Sequence, residues 1–364
     1  MRIGFDATIL TRPLTGVGVY TARLVEALAR TARFDEVFIF AHKPLFGLSD
    51  ELPVNIVSKR SPHAHIFVQF ILPRLLKEYD IDVLHGPNFY LPLISKTPSV
   101  VTVHDLSAQL FPEQHSHKHR LSQKLLRPSL KKADRIIAVS EATARDIEGF
   151  WSGVKNKVKI VYNGIDSDFK PASDDKISKI RKQYRLPEKF VLFVGTLEPR
   201  KNVARLVEAY SDARDNLDGA KLVIVGGKGW LFDEIFTKVE KLGISDEVLF
   251  TGYIPREDLP ALYSAAEVFC YPSLYEGFGF PPLEAAACGT PVLTSNRSSI
   301  PEIMNDAALL VNPESIEEIS RGLVRLFRDD GLRKDLIERG QERASMFNWK
   351  KTALKTLAIY KNLL

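Results

Sequence analysis

At 364 residues the chain is too long for one ordinary hydrophobic core and suits two domains. Its composition, 45% hydrophobic and 26% charged, is that of a soluble globular protein, and no apolar run nears the ~20 residues needed to span a bilayer. The net charge of +5 is modest, so its distribution along the chain matters more than its size.

The strand expected at residues 2–7 leaves no room for a signal peptide. Short apolar, β-branched runs follow at 37–41, 55–58, 82–85, 100–104, 135–139 and 159–162, alternating with helical patterns. After an interruption they resume at 190–194, 222–225, 248–251, 268–271, 292–294 and 309–311. Continuous apolar strands separated by helices indicate parallel sheets covered on both faces. Two such series predict an α/β chain of two doubly wound domains. The hinge falls in 166–187, where Pro171, polar residues and a lone charged helix (174–184) break the rhythm. Asn163-Gly164-Ile165-Asp166 is the turn that leaves the first domain. The last helix, from 349, presents Leu354, Leu357, Ala358 and Leu363 as a face that needs a partner. Cys270 and Cys288 lie in an apolar strand and an apolar helix and read as reduced core residues of a cytosolic protein.

In open parallel sheets, ligands bind beyond the carboxyl ends of the strands. The polar motifs sit there in both halves, which places the reactive cleft between the domains. Gly16-Val-Gly-Val-Tyr20 lacks the third glycine of a dinucleotide fingerprint and comes well after its strand. It reads either as a loop at Gly16 and Gly18 that approaches a phosphate or sugar, opening a helix over 19–30, or as a plain helix start. His104, ending the run Val100-Val-Thr-Val-His104, either faces a sugar hydroxyl or bonds a backbone group; His85 has the same position with no reinforcing motif.

His63 and His65, and His115, His117 and His119, alternate in basic surroundings without nearby cysteine, which argues against zinc. The stretch 115–135 carries Lys118, Arg120, Lys124, Arg127, Lys131, Lys132 and Arg135 against Asp134 alone, with Leu121, Leu125 and Leu126 interleaved. It fits either an interfacial helix drawn to anionic lipid or a solvated helix face. Aromatics are missing from it, which argues against nucleic acid.

Arg200 and Lys201, in Gly195-Thr-Leu-Glu-Pro-Arg-Lys-Asn202, are adjacent cations after a strand and before a helix. They fit a diphosphate, one bidentately and the other as a point charge. No Asp-x-Asp dyad directly follows an apolar strand, so a metal is not expected on the phosphates. Gly226 opens a second glycine turn at the end of 222–225. The richest run is Pro272-Ser-Leu-Tyr-Glu-Gly-Phe-Gly-Phe-Pro-Pro-Leu-Glu284, with Glu276 and Glu284 eight positions apart. Its glycines let backbone N–H groups reach an anion, its prolines suit a helix start, and Glu284 is expected in the first helical turn. Carboxylates beside a phosphate site accept from hydroxyls, and phosphate plus hydroxyls implies a sugar nucleotide. No Gly-x-Ser-x-Gly elbow, Walker loop or HExxH motif supports a hydrolase, an NTPase or a metalloprotease.

These motifs resemble the retaining GT-B glycosyltransferases with the E-x7-E motif, the glycosyl transferases of group 1. The match rests on SLYEGFGFPPLEAAACGTPVL around Glu276 and Glu284, GTLEPRKN (195–202), VGG (225–227), TGYIP (251–255), VYNGID (161–166), TVHD (102–105) and TGVGVY (15–20), in the family's order. The wording looks most like bacterial mannosyltransferases. The resemblance implies an N-terminal acceptor domain (1–168), a nucleotide-sugar domain (169–346) and a final helix (347–364) that crosses back to the first. It implies that Arg200 and Lys201 hold the donor diphosphate, Glu284 the ribose, and Glu276 the donor sugar, with amides from Gly277, Phe278 and Gly279. Ser273, Gly195 and Gly226 border the donor, Tyr253 and Ile254 flank the base, His104 lies near the reacting carbon, and Gly16 and Gly18 close on phosphate and sugar. The reaction implied is hexose transfer with retention, without metal or cofactor, first of all mannose from GDP-mannose. The acceptor implied is a saccharide or a polyprenyl-linked saccharide at the inner membrane face, and the location expected is cytoplasmic with peripheral contact. A UDP-sugar donor and a nucleotide-sugar epimerase on the same architecture are the alternatives.

Overall fold

Runs of branched and aromatic residues with no polar face can satisfy their backbones only inside a sheet covered on both sides, and this chain builds two such sheets. The computed structural model describes residues 1–11, 14–31, 36–49, 51–114 and 125–364. It divides into two units, Met1–Gly164 with Phe347–Leu364, and Ile165–Met346.

The first unit holds β1 (Arg2–Asp6), β2 (Glu36–Ala41), β3 (Val54–Ser58), β4 (Val83–Gly86), β5 (Ser99–Val103), β6 (Arg135–Ala138) and β7 (Val158–Ile160). They pair in the order β3-β2-β1-β4-β5-β6-β7, every neighbour parallel. Helix α1 (Gly16–Thr31) follows β1. Gly16 is its first residue, so the two glycines form its opening turn rather than a loop before it. A short helix, α2 (Leu126–Lys132), precedes β6. Its Leu126 and Leu130 are buried in the core beside Ile136 and Val101, so this part of the basic stretch turns its leucines inward. The rest of that stretch, with His115, His117, His119, Lys118, Arg120, Leu121 and Lys124, lies outside the described residues.

The second unit holds β8 (Phe190–Val194), β9 (Lys221–Val225), β10 (Val248–Gly252), β11 (Val268–Tyr271), β12 (Val292–Ser295) and β13 (Leu309–Val311). Their order, β10-β9-β8-β11-β12-β13, reverses direction between β8 and β11. A ligand crevice opens beyond the carboxyl ends of strands at such a reversal. Helix α3 (Val203–Ala213) leaves β8, and α4 (Phe280–Ala287) leaves β11. The thiols of Cys270 and Cys288 are buried and free.

The last helix, α5 (Trp349–Lys361), belongs to the first unit. Its buried side is Trp349, Thr352, Ala353, Thr356, Leu357 and Tyr360, whereas Leu354 and Ala358 face water. The face expected from apolar residues alone is therefore rotated. Two threonines can be buried because their hydroxyls are satisfied, Thr352 donating to the Tyr162 carbonyl at 2.9 Å and Thr356 to that of Thr352 at 2.8 Å. Tyr360 seals the contact, its hydroxyl 2.5 Å from Nδ1 of His85. His85 Nε2 lies 2.7 Å from the Thr102 hydroxyl, which in turn meets the Tyr20 hydroxyl at 2.9 Å. Burial pushes the His85 imidazole down to about 3, with His104 adding to the shift. His85 is thus a neutral core residue that joins β4, β5, α1 and α5, not a strand-end group facing a ligand.

Candidate functional site

Beyond β8 the backbone must turn twice in little space. Gly226, at the end of β9, has φ +148°, and a Cβ there would lie 1.9 Å from the Gly195 carbonyl oxygen. Only glycine permits that approach. Leu197 N–H donates to the Gly227 carbonyl and Gly229 N–H to that of Leu197, both at 3.0 Å, so the loops after β8 and β9 are laced together. A single 3₁₀ turn, Pro199–Lys201, then presents Arg200 and Lys201. Asn202 closes it in the left-handed region (φ 61°) and begins α3. Its Nδ2 donates to the carbonyls of Pro272 (3.0 Å) and Pro313 (2.6 Å), fixing the cation-bearing turn to the loops after β11 and β13. The preference of asparagine for positive φ could have singled this residue out from sequence; its two carbonyl partners, remote in the chain, could not.

The reversal of strand order brings the loop after β11 to the same place. Lys201 Nζ donates to Glu276 Oε1 at 2.7 Å and to the Tyr271 hydroxyl at 2.6 Å. Arg200 Nη1 stands 3.1 Å from Glu276 Oε2 and donates to the Tyr275 carbonyl at 2.7 Å. Glu276 Oε1 also accepts from Ser273 (2.6 Å) and Tyr271 (3.0 Å). Its own N–H donates to the Ser298 hydroxyl at 2.8 Å. Arg200 also pairs with Glu198, whose Oε1 accepts from Nη2 at 2.7 Å.

Two cations and two carboxylates thus meet in a nearly dry cluster, with side chains 5–13% exposed. Burial alone would raise the Glu276 carboxyl, but Lys201 and Arg200 outweigh it and hold the group at about 2. Burial, and then Arg200, lower the Lys201 ammonium against the pull of Glu276 and Glu198. Glu198 carries no sequence signal beyond its place in the motif, and its partnership with Arg200 is a feature that sequence reasoning missed.

Gly279 is the N-cap of α4 at φ 98°, and a Cβ there would strike Ile300 Cδ1 at 2.5 Å. Phe278 and Ser273 are buried behind it. The hydroxyl of Ser299 donates to the carbonyls of Glu276 (2.9 Å) and Phe278 (3.0 Å), bracing the glycine turn around Gly277.

Glu284 is the fifth residue of α4, just past the first turn where it was expected. It belongs to a separate cluster: Arg256 Nη2 donates to its Oε1 at 2.9 Å, and the Tyr263 hydroxyl to Oε2 at 3.3 Å. Arg256 also pairs with Asp166 at 3.1 Å and lies 4.7 Å over the Phe169 ring. Of the two residues expected beside a base, Tyr253 is 71% exposed and Ile254 is buried. Their side chains therefore have different surroundings.

The remaining residues belong to the first unit. His104 Nε2 lies 2.7 Å from the Pro87 carbonyl, so that nitrogen carries the proton and donates. The ring is held edge-on by Tyr20 (4.7 Å) and Phe89 (5.8 Å). Burial lowers its proton affinity, against the Pro87 carbonyl and Asp105. Gly18 packs on Leu14, while Gly16 has open space where a Cβ would stand. Among the described residues no group of three or more His, Cys, Asp or Glu is arranged to hold a metal ion.

The glycosyl transferases group 1 family matches residues 176–343, and glycosyltransferase family 4 matches residues 14–169. The chain is 32% identical to an O-antigen chain mannosyltransferase B of Escherichia coli, over 100% of both chains. Among solved structures, sucrose-phosphate synthase from Thermosynechococcus elongatus superposes with a TM-score of 0.79 at 24% identity, over 100% of this chain and 98% of that one. HepE of Anabaena, crystallised with UDP and glucose, gives 0.78 at 20% identity over 100% of both. At such identities the likeness concerns the fold, which is of the GT-B class with two Rossmann-like domains.

Proposed function

The chain belongs to the glycosyl transferases of group 1, and from that premise we propose that it moves a hexose from a nucleotide sugar to a saccharide or polyprenyl-linked saccharide acceptor in surface-polysaccharide synthesis. Mannose from GDP-mannose is the first donor, in keeping with the O-antigen mannosyltransferase relative.

One observation carries the reading: Glu276 is held between Arg200 and Lys201 at the strand reversal of the second sheet. A diphosphate entering there competes with Glu276 for the same two cations. Once displaced from them, the carboxylate is free to accept from donor-sugar hydroxyls, while Glu198 keeps Arg200 in place. Arg200 and Lys201 then neutralise the charge that grows on the leaving diphosphate, the kind of fixed electrostatic stabilisation worth about 3 kcal/mol per group. No metal is needed for that role.

Glu284 sits in a cluster with one cation and two carboxylates, a setting that favours hydroxyl donors over phosphate and suits ribose. The turn 277–279 supplies backbone N–H groups to the sugar, and Tyr253 and Ile254 border the base. Of the first unit's residues, His104 is assigned to the reacting carbon, and Gly16 and Gly18 to the donor's phosphate and sugar. Retention by double displacement requires a carboxylate on the far face of the sugar. Glu276, once displaced, is instead engaged by donor-sugar hydroxyls, and this reading assigns no other acid to that face, which favours same-face attack, the leaving phosphate taking the acceptor's proton.

A thermal-shift panel of GDP, UDP, ADP and their hexose conjugates tests the donor. A ligand at 100 times its dissociation constant adds about 2.7 kcal/mol of stability, so GDP and GDP-mannose should stand out. A UDP preference would replace the donor, and no response to any nucleotide would remove the whole reading. NMR of the donor alone separates transfer from epimerisation, which needs no acceptor.

A further inference from the structure

The loop after β12 carries two adjacent serines that between them hold both backbone groups of Glu276. Glu276 N–H donates to the Ser298 hydroxyl at 2.8 Å, and the Ser299 hydroxyl donates to the Glu276 carbonyl at 2.9 Å. Ser299 is fully buried, at the start of the short helix Ile300–Met304. Ser298 is partly buried and stands at φ 52°, in the left-handed region. Glycine takes that conformation freely and asparagine or aspartate fairly often, whereas serine takes it at a cost. A serine held there supplies what glycine could not, a hydroxyl that accepts from the Glu276 amide.

This hold has supports of its own. The Thr294 hydroxyl donates to the Tyr271 carbonyl at 2.7 Å, where the loop after β11 begins. Asn296 N–H donates to the Val311 carbonyl at 2.9 Å, and Arg297 N–H to the Ser295 hydroxyl at 3.1 Å. None of these bonds uses Arg200, Lys201 or the Glu276 carboxylate. The side chain and the backbone of Glu276 therefore answer to different partners. The carboxylate is held by the two cations, Tyr271 and Ser273, the peptide groups by the two serines. On the function proposed above, an incoming diphosphate breaks the first set of contacts and leaves the second.

We propose that Ser298 is a positioning residue for the donor sugar: with Ser299 it fixes the backbone about which the Glu276 carboxylate swings from the cations to the sugar hydroxyls. Its effect on the sugar passes through Glu276. The proposal rests on the donor-site reading and adds to it the group that keeps Glu276 in register after its side chain has changed partners.

The test is isothermal titration calorimetry of wild type, Ser298→Gly and Ser298→Ala with GDP and with GDP-mannose. Glycine relieves the strain at φ 52° and should melt near wild type, whereas alanine keeps it and should melt lower. Both variants lose the hydroxyl. Both should therefore bind GDP-mannose about tenfold more weakly, while the affinity for GDP stays within about twofold of wild type. No loss for either ligand, or equal losses for both, overturns the proposal. So does a loss confined to Ser298→Ala, which would follow the melting temperature rather than the hydroxyl. If wild type prefers UDP, the pair becomes UDP and its hexose conjugate, with the same outcomes. Wild type that binds no nucleotide removes the donor-site reading itself, whereas a binding wild type with unaltered variants removes this proposal alone.

Discussion

The two glutamates of the E-x7-E run share a loop and a helix yet occupy opposite electrostatic settings. Glu276 is outnumbered by cations, with Lys201 and Arg200 on its two oxygens and Glu198 drawing on Arg200 from the other side. Glu284 and Asp166 share one cation, Arg256. The first cluster sums to zero, and on the function proposed above Glu276 yields its two cations to the incoming diphosphate. The second sums to minus one, so an anion there would meet net repulsion, whereas hydroxyl groups can still donate to it. Spacing along the chain does not distinguish the two acids; their partners do.

Removing one cation from each cluster tests that contrast most directly. Lys201→Ala should lower kcat/KM by about 10²–10³-fold and move the urea midpoint less, because Arg200 still pairs with Glu276. Arg256→Ala should act the other way. It leaves the buried Glu284 and the partly buried Asp166 without this cation and should cost about 2 kcal/mol of stability, the low end for a broken pair because Arg256 is 28% exposed. Steady-state kinetics and urea melts on both variants read the two effects. A Lys201 variant that melts early but turns over normally would erase the distinction.

Acid should sharpen it further. Lys201 and Arg200 hold the folded Glu276 carboxyl at about 2, against 4.5 ordinarily. A depressed folded pKa adds stability that is complete above the unfolded value and lost as pH falls toward the folded one. Urea midpoints of wild type should therefore drop between about pH 4.5 and about pH 2 more than those of Glu276→Gln. Parallel curves would mean that the ion pair adds nothing to the folded state.

Much of this was legible in the residues. The strands could be read because a sheet covered on both faces leaves continuous apolar runs, and Arg200, Lys201 and Glu276 could be sent to one site because their motifs follow strand ends, although their ion pairing was not read. What escaped depended on distance along the chain. Arg256 and Glu284 are 28 residues apart and Arg256 and Asp166 are 90, with no pattern linking them. The last helix was misread for a different reason. Thr352 and Thr356 look polar, yet each hydroxyl finds a carbonyl, so the buried side includes them while Leu354 turns to water. His85 resembled His104 as a strand-end histidine, and its full burial with bonds to Thr102 and to the Tyr360 hydroxyl from the far end of the chain shows it to be core.

The smallest expected effect comes from the weakest contact in the second cluster. The Tyr263 hydroxyl donates to Glu284 Oε2 over 3.3 Å, longer than the 2.9 Å of Arg256. Its ring, fully buried, packs edge-on against Phe269 at 5.3 Å, so Tyr263→Phe keeps the packing and removes only the donor. A long hydrogen bond to a charged acceptor should be worth about 1 kcal/mol or less. The cost should nevertheless double when the same change is made in an Arg256→Ala background, because Glu284 would then lose its one remaining side-chain donor among the described residues. A double-mutant cycle on urea midpoints measures that coupling, and strict additivity would mean that Arg256 and Tyr263 hold the carboxylate independently.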